Sequence, residues 1–74
     1  MNKTRRRNIT SAISKMNSAL TILDGALDEE CFAMDNYPEN LQGSDVYLEM
    51  EESVDCLSNS VDLLRDAIDE VSEI

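Results

Sequence analysis

The sequence predicts an all-α protein, an antiparallel two-helix hairpin of coiled-coil type that assembles further into a four-helix bundle or larger helical oligomer. Three observations carry this expectation. Ile9, Ile13, Met16, Leu20, Leu23 and Leu27 step by four and three, the spacing of a coiled-coil seam. Tyr47, Met50, Val54, Leu57, Val61, Leu64, Ile68 and Val71 do the same. When the chain is folded back near residue 40, Ile9 faces Val71, Ile13 faces Ile68, Met16 faces Leu64, Leu20 faces Val61, Leu23 faces Leu57 and Leu27 faces Val54, and in every pair the residue numbers add to 80 or 81. Two independent ladders with a constant sum have an antiparallel register.

Each element can be justified in chain order. The 74 residues form one domain, with a first helix over about 3–35, a connector over 36–44 and a second helix over about 45–73. Pro38 cannot continue the first helix, and it biases Tyr37 away from helical geometry. Gly43 permits the reversal, Ser44 is a good N-cap for the second helix, and Asp45 and Glu49 favour that helix's start through its dipole. A short helical turn from Pro38 to Leu41 is expected to close the bundle end, with Leu41 and Tyr37 as lids. The first ladder breaks after Leu27. Strict spacing puts Glu30 in the seam, whereas a four-residue step puts Cys31 there, followed by Met34 facing Tyr47. The second reading is preferred, because an unpaired carboxylate is costly to bury. Cys31 and Cys56 are offset in the hairpin by about six residues, roughly 9 Å, too far for an easy disulfide. They are read as two small buried hydrophobes in a reducing compartment.

A second periodicity lies beside the seam. Ala12, Ala19, Ala26 and Ala33 recur every seven residues, with Ile22 among them, and Ser53, Ser60 and Ala67 recur every seven on the other helix, interleaved with Cys56 and Leu63. In an antiparallel hairpin these heptad positions fall on one side. Ala12, Ala19, Ile22, Ala26, Cys56, Ser60, Leu63 and Ala67 are therefore the expected self-association face, giving a homodimer or higher oligomer. The plainer alternative is that alanine is simply a good helix former. A two-helix hairpin with one seam buries little surface for its length, which favours the oligomer.

The net charge of −10 is unevenly spread. Five of the six basic residues, Lys3, Arg5, Arg6, Arg7 and Lys15, lie in the first fifteen, and the sixth is Arg65. From Met16 to Leu64 there are twelve acids and no base. The terminal end of the hairpin mixes both signs, and pairing of Arg5 to Arg7 with Glu70 and Glu73 is expected there. The loop end is purely acidic. Several of these charges oppose the helix dipoles.

These patterns exclude several classes of function. No catalytic or cofactor motif is present, and Asp28, Glu51 and Asp55 lack the pocket that paired-carboxylate catalysis needs. There is no His and no Asp-x-Asp-x-Asp-Gly loop, so no metal site is expected. Repulsion disfavours direct nucleic-acid binding. No stretch is apolar enough for a membrane or a signal core, which leads to the expectation of a soluble, intracellular protein. What remains is binding. The acids Asp28, Glu29, Glu51, Glu52 and Asp55 can occupy a basic, nucleic-acid-binding groove of another protein, or merely keep the protein soluble. Lys3, Arg5, Arg6 and Arg7 can hold an anion, or act as a solubilising terminus. Ser11, Ser14, Asn17, Ser18 and Thr21, with Ser58 and Asn59 opposite, form an uncharged polar strip suited to a nucleotide, or plain surface.

One segment resembles a known pattern. Phe32-Ala33-Met34-Asp35-Asn36-Tyr37-Pro38-Glu39-Asn40-Leu41-Gln42-Gly43-Ser44, followed by Met50-Glu51-Glu52-Ser53-Val54-Asp55, is similar to small acidic helical-hairpin proteins of phages and mobile elements of Gram-positive bacteria. These begin with Met-Asn-Lys and a basic cluster, and share an Asp-Asn-x-Pro-Glu-Asn-Leu-Gln connector. The Ser/Asn-rich helix faces depart from that pattern, which carries Glu, Lys and Ala there. The resemblance implies a phage-type accessory protein. By analogy, phage accessory proteins often inhibit host proteins or sequester host signals. The expected function is thus non-enzymatic and without a cofactor: inhibition of a basic host defence protein by the acidic surface. The alternatives are an oligomeric sponge for an anionic signalling nucleotide and a structural or regulatory phage component.

Overall fold

The computed structural model describes residues 1–74 and is a two-helix hairpin without strands. Helix α1 spans Lys3–Asp35, a short 3-10 turn spans Glu39–Leu41, and helix α2 spans Asp45–Ser72. Both helices start on side-chain caps. The Asn2 Oδ1 accepts from the Arg5 N–H at 2.8 Å, and the Ser44 Oγ accepts from the Tyr47 N–H at 3.3 Å, each satisfying a donor that the first helical turn leaves free. At the other end of α1 the Asn36 side chain donates to the Phe32 carbonyl at 2.8 Å. Pro38 then ends helical geometry, and Leu41 N–H and Ser44 N–H donate to the carbonyls of Pro38 and Leu41. The reversal uses no positive φ anywhere, so Gly43 supplies no left-handed turn and the chain turns through ordinary backbone.

The hairpin is a rod of 60 × 14 × 14 Å with a radius of gyration of 17.1 Å, against about 11 Å for a compact domain of this length. Only Val61 (3% exposed) and Ile68 (9%) are fully buried. The other ladder residues of both helices are half-buried, because each seam position has a partner helix on one side and solvent on the other. Leu20, expected to be buried opposite Val61, belongs to this half-buried set. Glu30 and Cys31 are both half-buried; the ladder widens at its break instead of choosing one of them. The lid expectation holds for Tyr37, which lies with Tyr47 at a ring-centroid distance of 5.6 Å. It fails for Leu41, which remains 45% exposed, since the 3-10 turn has no third helix to press against. Cys56 is exposed, and Cys31 half-buried, where burial of both was expected. Cys56 lies off the seam, on the face that a two-helix rod cannot cover.

Gly25 gives a direct measure of helix propensity. It sits inside α1 with open space around the position of a Cβ. Gly25→Ala is expected to stabilise the hairpin by about 0.5–1 kcal/mol, read as a higher urea midpoint at unchanged m-value. A lower midpoint would mean that this outer face is covered in solution.

Candidate functional site

The seam has two flanks, and they differ in chemistry. Residues that follow a seam position, among them Asn17, Asp24, Glu51, Ser58 and Arg65, line one flank. Residues that precede a seam position, among them Ala12, Ala19, Ala26, Ser53, Ser60 and Ala67, line the other. The single ion pair of the protein marks the first flank: Arg65 Nη2 lies 3.0 Å from Asp24 Oδ2 and also reaches Oδ1 at 3.4 Å. Helical side chains lean toward their own N-terminus. Asp24 therefore leans over Leu20 and Arg65 over Val61, and the pair closes over the mid-hairpin layer. Both side chains are substantially exposed, so the bridge contributes well under 1 kcal/mol. Its consequence is electrostatic: it engages Arg65, the one cation of α2. The expected pairing of Arg5 to Arg7 with Glu70 and Glu73 is not formed; the arginines make no ion pair at the positive start of α1, and Arg6 Nε donates to the Met1 carbonyl at 3.5 Å.

The acids read from the sequence as a partner face come together in height. On the common register, Asp28 and Glu29 stand level with Glu51, Glu52 and Asp55, within about 6 Å of rod length at 1.5 Å per residue. All five are exposed, and none makes an ion pair. They do not share one face. Asp28, Glu51 and Asp55 lie on the ion-pair flank, Glu52 on the back of α2, and Glu29 at the outer edge of the small-residue flank. The result is a belt of carboxylates around the rod. No three acids or thiols converge closely enough to hold a metal ion.

The small-residue flank is laid out as the heptads require. Ala12, Ala19, Cys56, Ser60 and Ala67 are exposed and Ala26 is half-buried. Ile22 (72% exposed) and Leu63 (69%) stand out as large side chains without a partner. Sequence reasoning found this flank but not the Asp24–Arg65 pair, whose signal was the opposite charge of two residues that each follow a seam leucine.

Three of the seven residues of the polar strip are occupied with their own helix. Asn17, Ser18 and Thr21 donate to the carbonyls of Ile13, Ser14 and Asn17 at 3.1–3.2 Å. Donors satisfied within a helix turn are poorly placed to read a ligand. At the terminal end a shallow groove of about 180 Å³ runs between the helices, lined by Arg6, Ile9, Thr10, Ile13, Val71, Ser72 and Ile74. It unites Ile9 and Ile13 with Val71, as the register requires, under a guanidinium. No helix is long and apolar enough to cross a membrane. Compared with known proteins, the chain matches no family model, no curated protein and no solved structure.

Proposed function

We propose that this chain is a non-enzymatic accessory protein of phage type that binds and inhibits a basic, nucleic-acid-binding host defence protein through its acidic half. The observation that carries the reading is the uncompensated charge of the loop end. Asp28, Glu29, Glu30, Asp35, Glu39, Asp45, Glu49, Glu51 and Glu52 occupy about 17 Å of rod at 1.5 Å per residue. That is roughly one carboxylate per 2 Å, close to the one phosphate per about 1.7 Å of duplex DNA. A thin rod of that charge density meets a basic groove with long-range attraction and little shape restriction. Apart from the support that Asp45 and Glu49 give the start of α2, the fold gains nothing from these acids, since none makes an ion pair and Arg65 is engaged by Asp24. The resemblance of the connector to phage and mobile-element proteins agrees with a host target in the bacterial cytoplasm.

A second reading rests on the groove beneath Arg6. A cation above an apolar floor of Ile9, Ile13 and Val71 suits an anionic nucleotide, and an oligomer of such grooves is a sponge. The occupied donors of Asn17, Ser18 and Thr21 weaken it. One experiment separates the two. The protein is used as bait in a bacterial host lysate, next to a bait with Asp28→Asn, Glu51→Gln, Glu52→Gln and Asp55→Asn, and the eluates are analysed for proteins and nucleotides. The expected outcome is a basic nucleic-acid-binding protein on the first bait and its loss from the second. A nucleotide retained equally by both baits, with no such protein, favours the sponge and defeats the leading reading.

A further inference from the structure

The exposed flank and the charge polarity of the rod together specify a partner. We propose that the small-residue flank binds a second copy of this chain, antiparallel to the first, so that the connector of each copy lies against the termini of the other.

The need for a cover is visible in the surface. The accessible area is 5600 Å² for 8.3 kDa, against about 4,600 Å² for a compact monomer of that mass. The excess of roughly 1,000 Å² is comparable to the ~800 Å² that each partner buries in a stable interface. Part of its apolar surface is on the flank where Ile22 and Leu63 stand exposed at mid-rod, and where the residues between them are small enough for helices to approach closely. The opposite flank exposes Phe32 and Leu48 near the connector, but at mid-rod it carries the Asp24–Arg65 pair and the carboxylates Glu51 and Asp55, which interrupt any apolar cover there.

Two two-fold arrangements bring these flanks together. In one the connectors share an end, and nine carboxylates of each copy are placed side by side. In the other the connectors lie at opposite ends. Centred on Ile22, this second arrangement sets Ile22 against the partner's Ile22, Ala19 level with the partner's Ala26, and Lys15 level with the partner's Glu29. Arg5, Arg6 and Arg7, unpaired within the hairpin, then stand at the height of the partner's Glu39. The first arrangement concentrates like charge, and the second places each mixed-sign end, with its five cations on α1, against an acidic one. Complementary charge fixes orientation where apolar contact alone does not. The acids Asp28, Glu51, Glu52 and Asp55 remain outside this interface, so the dimer and the mid-rod part of the proposed target surface share only Glu29.

The test reads dimerisation and orientation separately. Sedimentation equilibrium of the full chain is expected to show a dimer. Lys15→Glu is expected to weaken it about ten-fold, as does Glu29→Lys, and the double exchange Lys15→Glu with Glu29→Lys is expected to restore it. Helical signal follows folding in each variant. For orientation, a nitroxide is placed by Gln42→Cys in a Cys31→Ser, Cys56→Ser background, and electron–electron distances are measured. Labels near opposite ends of a 60 Å rod give a long distance. A monomer at 100 µM, a Lys15→Glu, Glu29→Lys double variant no tighter than the single ones, or a label distance of only about 20 Å, the width of two rods side by side, would overturn the proposal.

Discussion

Val61→Asp is expected to unfold the hairpin, with loss of the helical circular-dichroism signal at 25 °C. Val61 is the most deeply buried residue, 3% exposed, in a protein that buries only two. An ionised carboxylate there meets no cation, since Arg65 is held by Asp24 above the same layer. Burial of an unpaired charge costs several kcal/mol, comparable to the whole stability expected of a small domain. The milder Val61→Ala shortens the same side chain without adding charge, and is expected to lower the urea midpoint while leaving the fold intact. Thr21→Ala supplies the control. Thr21 is exposed and its hydroxyl donates to Asn17 of its own helix, so its loss is expected to change stability by well under 1 kcal/mol. A folded, equally stable Val61→Asp protein would mean that the seam does not run through Val61.

The ladders made the architecture legible because a seam must repeat at the period of the helix, and the same register then sets what lies on each flank. Pro38 and Ser44 marked the reversal because their chemistry acts locally, whatever surrounds them. Other features depend on distances that periodicity does not encode. Asn2 as the first cap was missed because three arginines follow it, and they oppose the dipole that a cap serves. The Asp24–Arg65 pair was missed because its residues are offset along the rod and meet only through the lean of helical side chains. Full burial of Leu20 and Cys56 was overestimated for a related reason. A seam pattern tells which side of a helix is apolar, not how many neighbours cover it, and a single partner helix leaves most seam positions half open. The acidic belt was legible as composition, but its closure around the rod became visible only when Asp28 and Glu29 were set level with Glu51, Glu52 and Asp55.

The belt leads to the other large effect. Asp28→Asn, Glu51→Gln, Glu52→Gln and Asp55→Asn in one chain are expected to leave the hairpin folded, since none of the four sits in a ladder or in an ion pair. Removal of four like charges at one height of the rod should raise the urea midpoint slightly, by relief of self-repulsion. Binding to the proposed basic target should respond in the opposite direction. Attraction between an acidic rod and a basic groove acts at long range and sets the encounter rate, so the association rate at low salt is expected to fall on the order of ten-fold or more. The difference between wild-type and variant should narrow as ionic strength rises and the Debye length shrinks from about 30 Å at 0.01 M to about 8 Å at 0.15 M. Arg6→Gln should leave that association unchanged, because Arg6 lies at the far end of the rod, over the groove of Ile9, Ile13 and Val71. Stopped-flow association at several salt concentrations measures all three. If the four neutralisations leave the rate and its salt dependence as they were, the carboxylates serve solubility and the target, if one binds, reads another surface. If Arg6→Gln alone abolishes binding, the terminal groove is the site and its ligand is an anion.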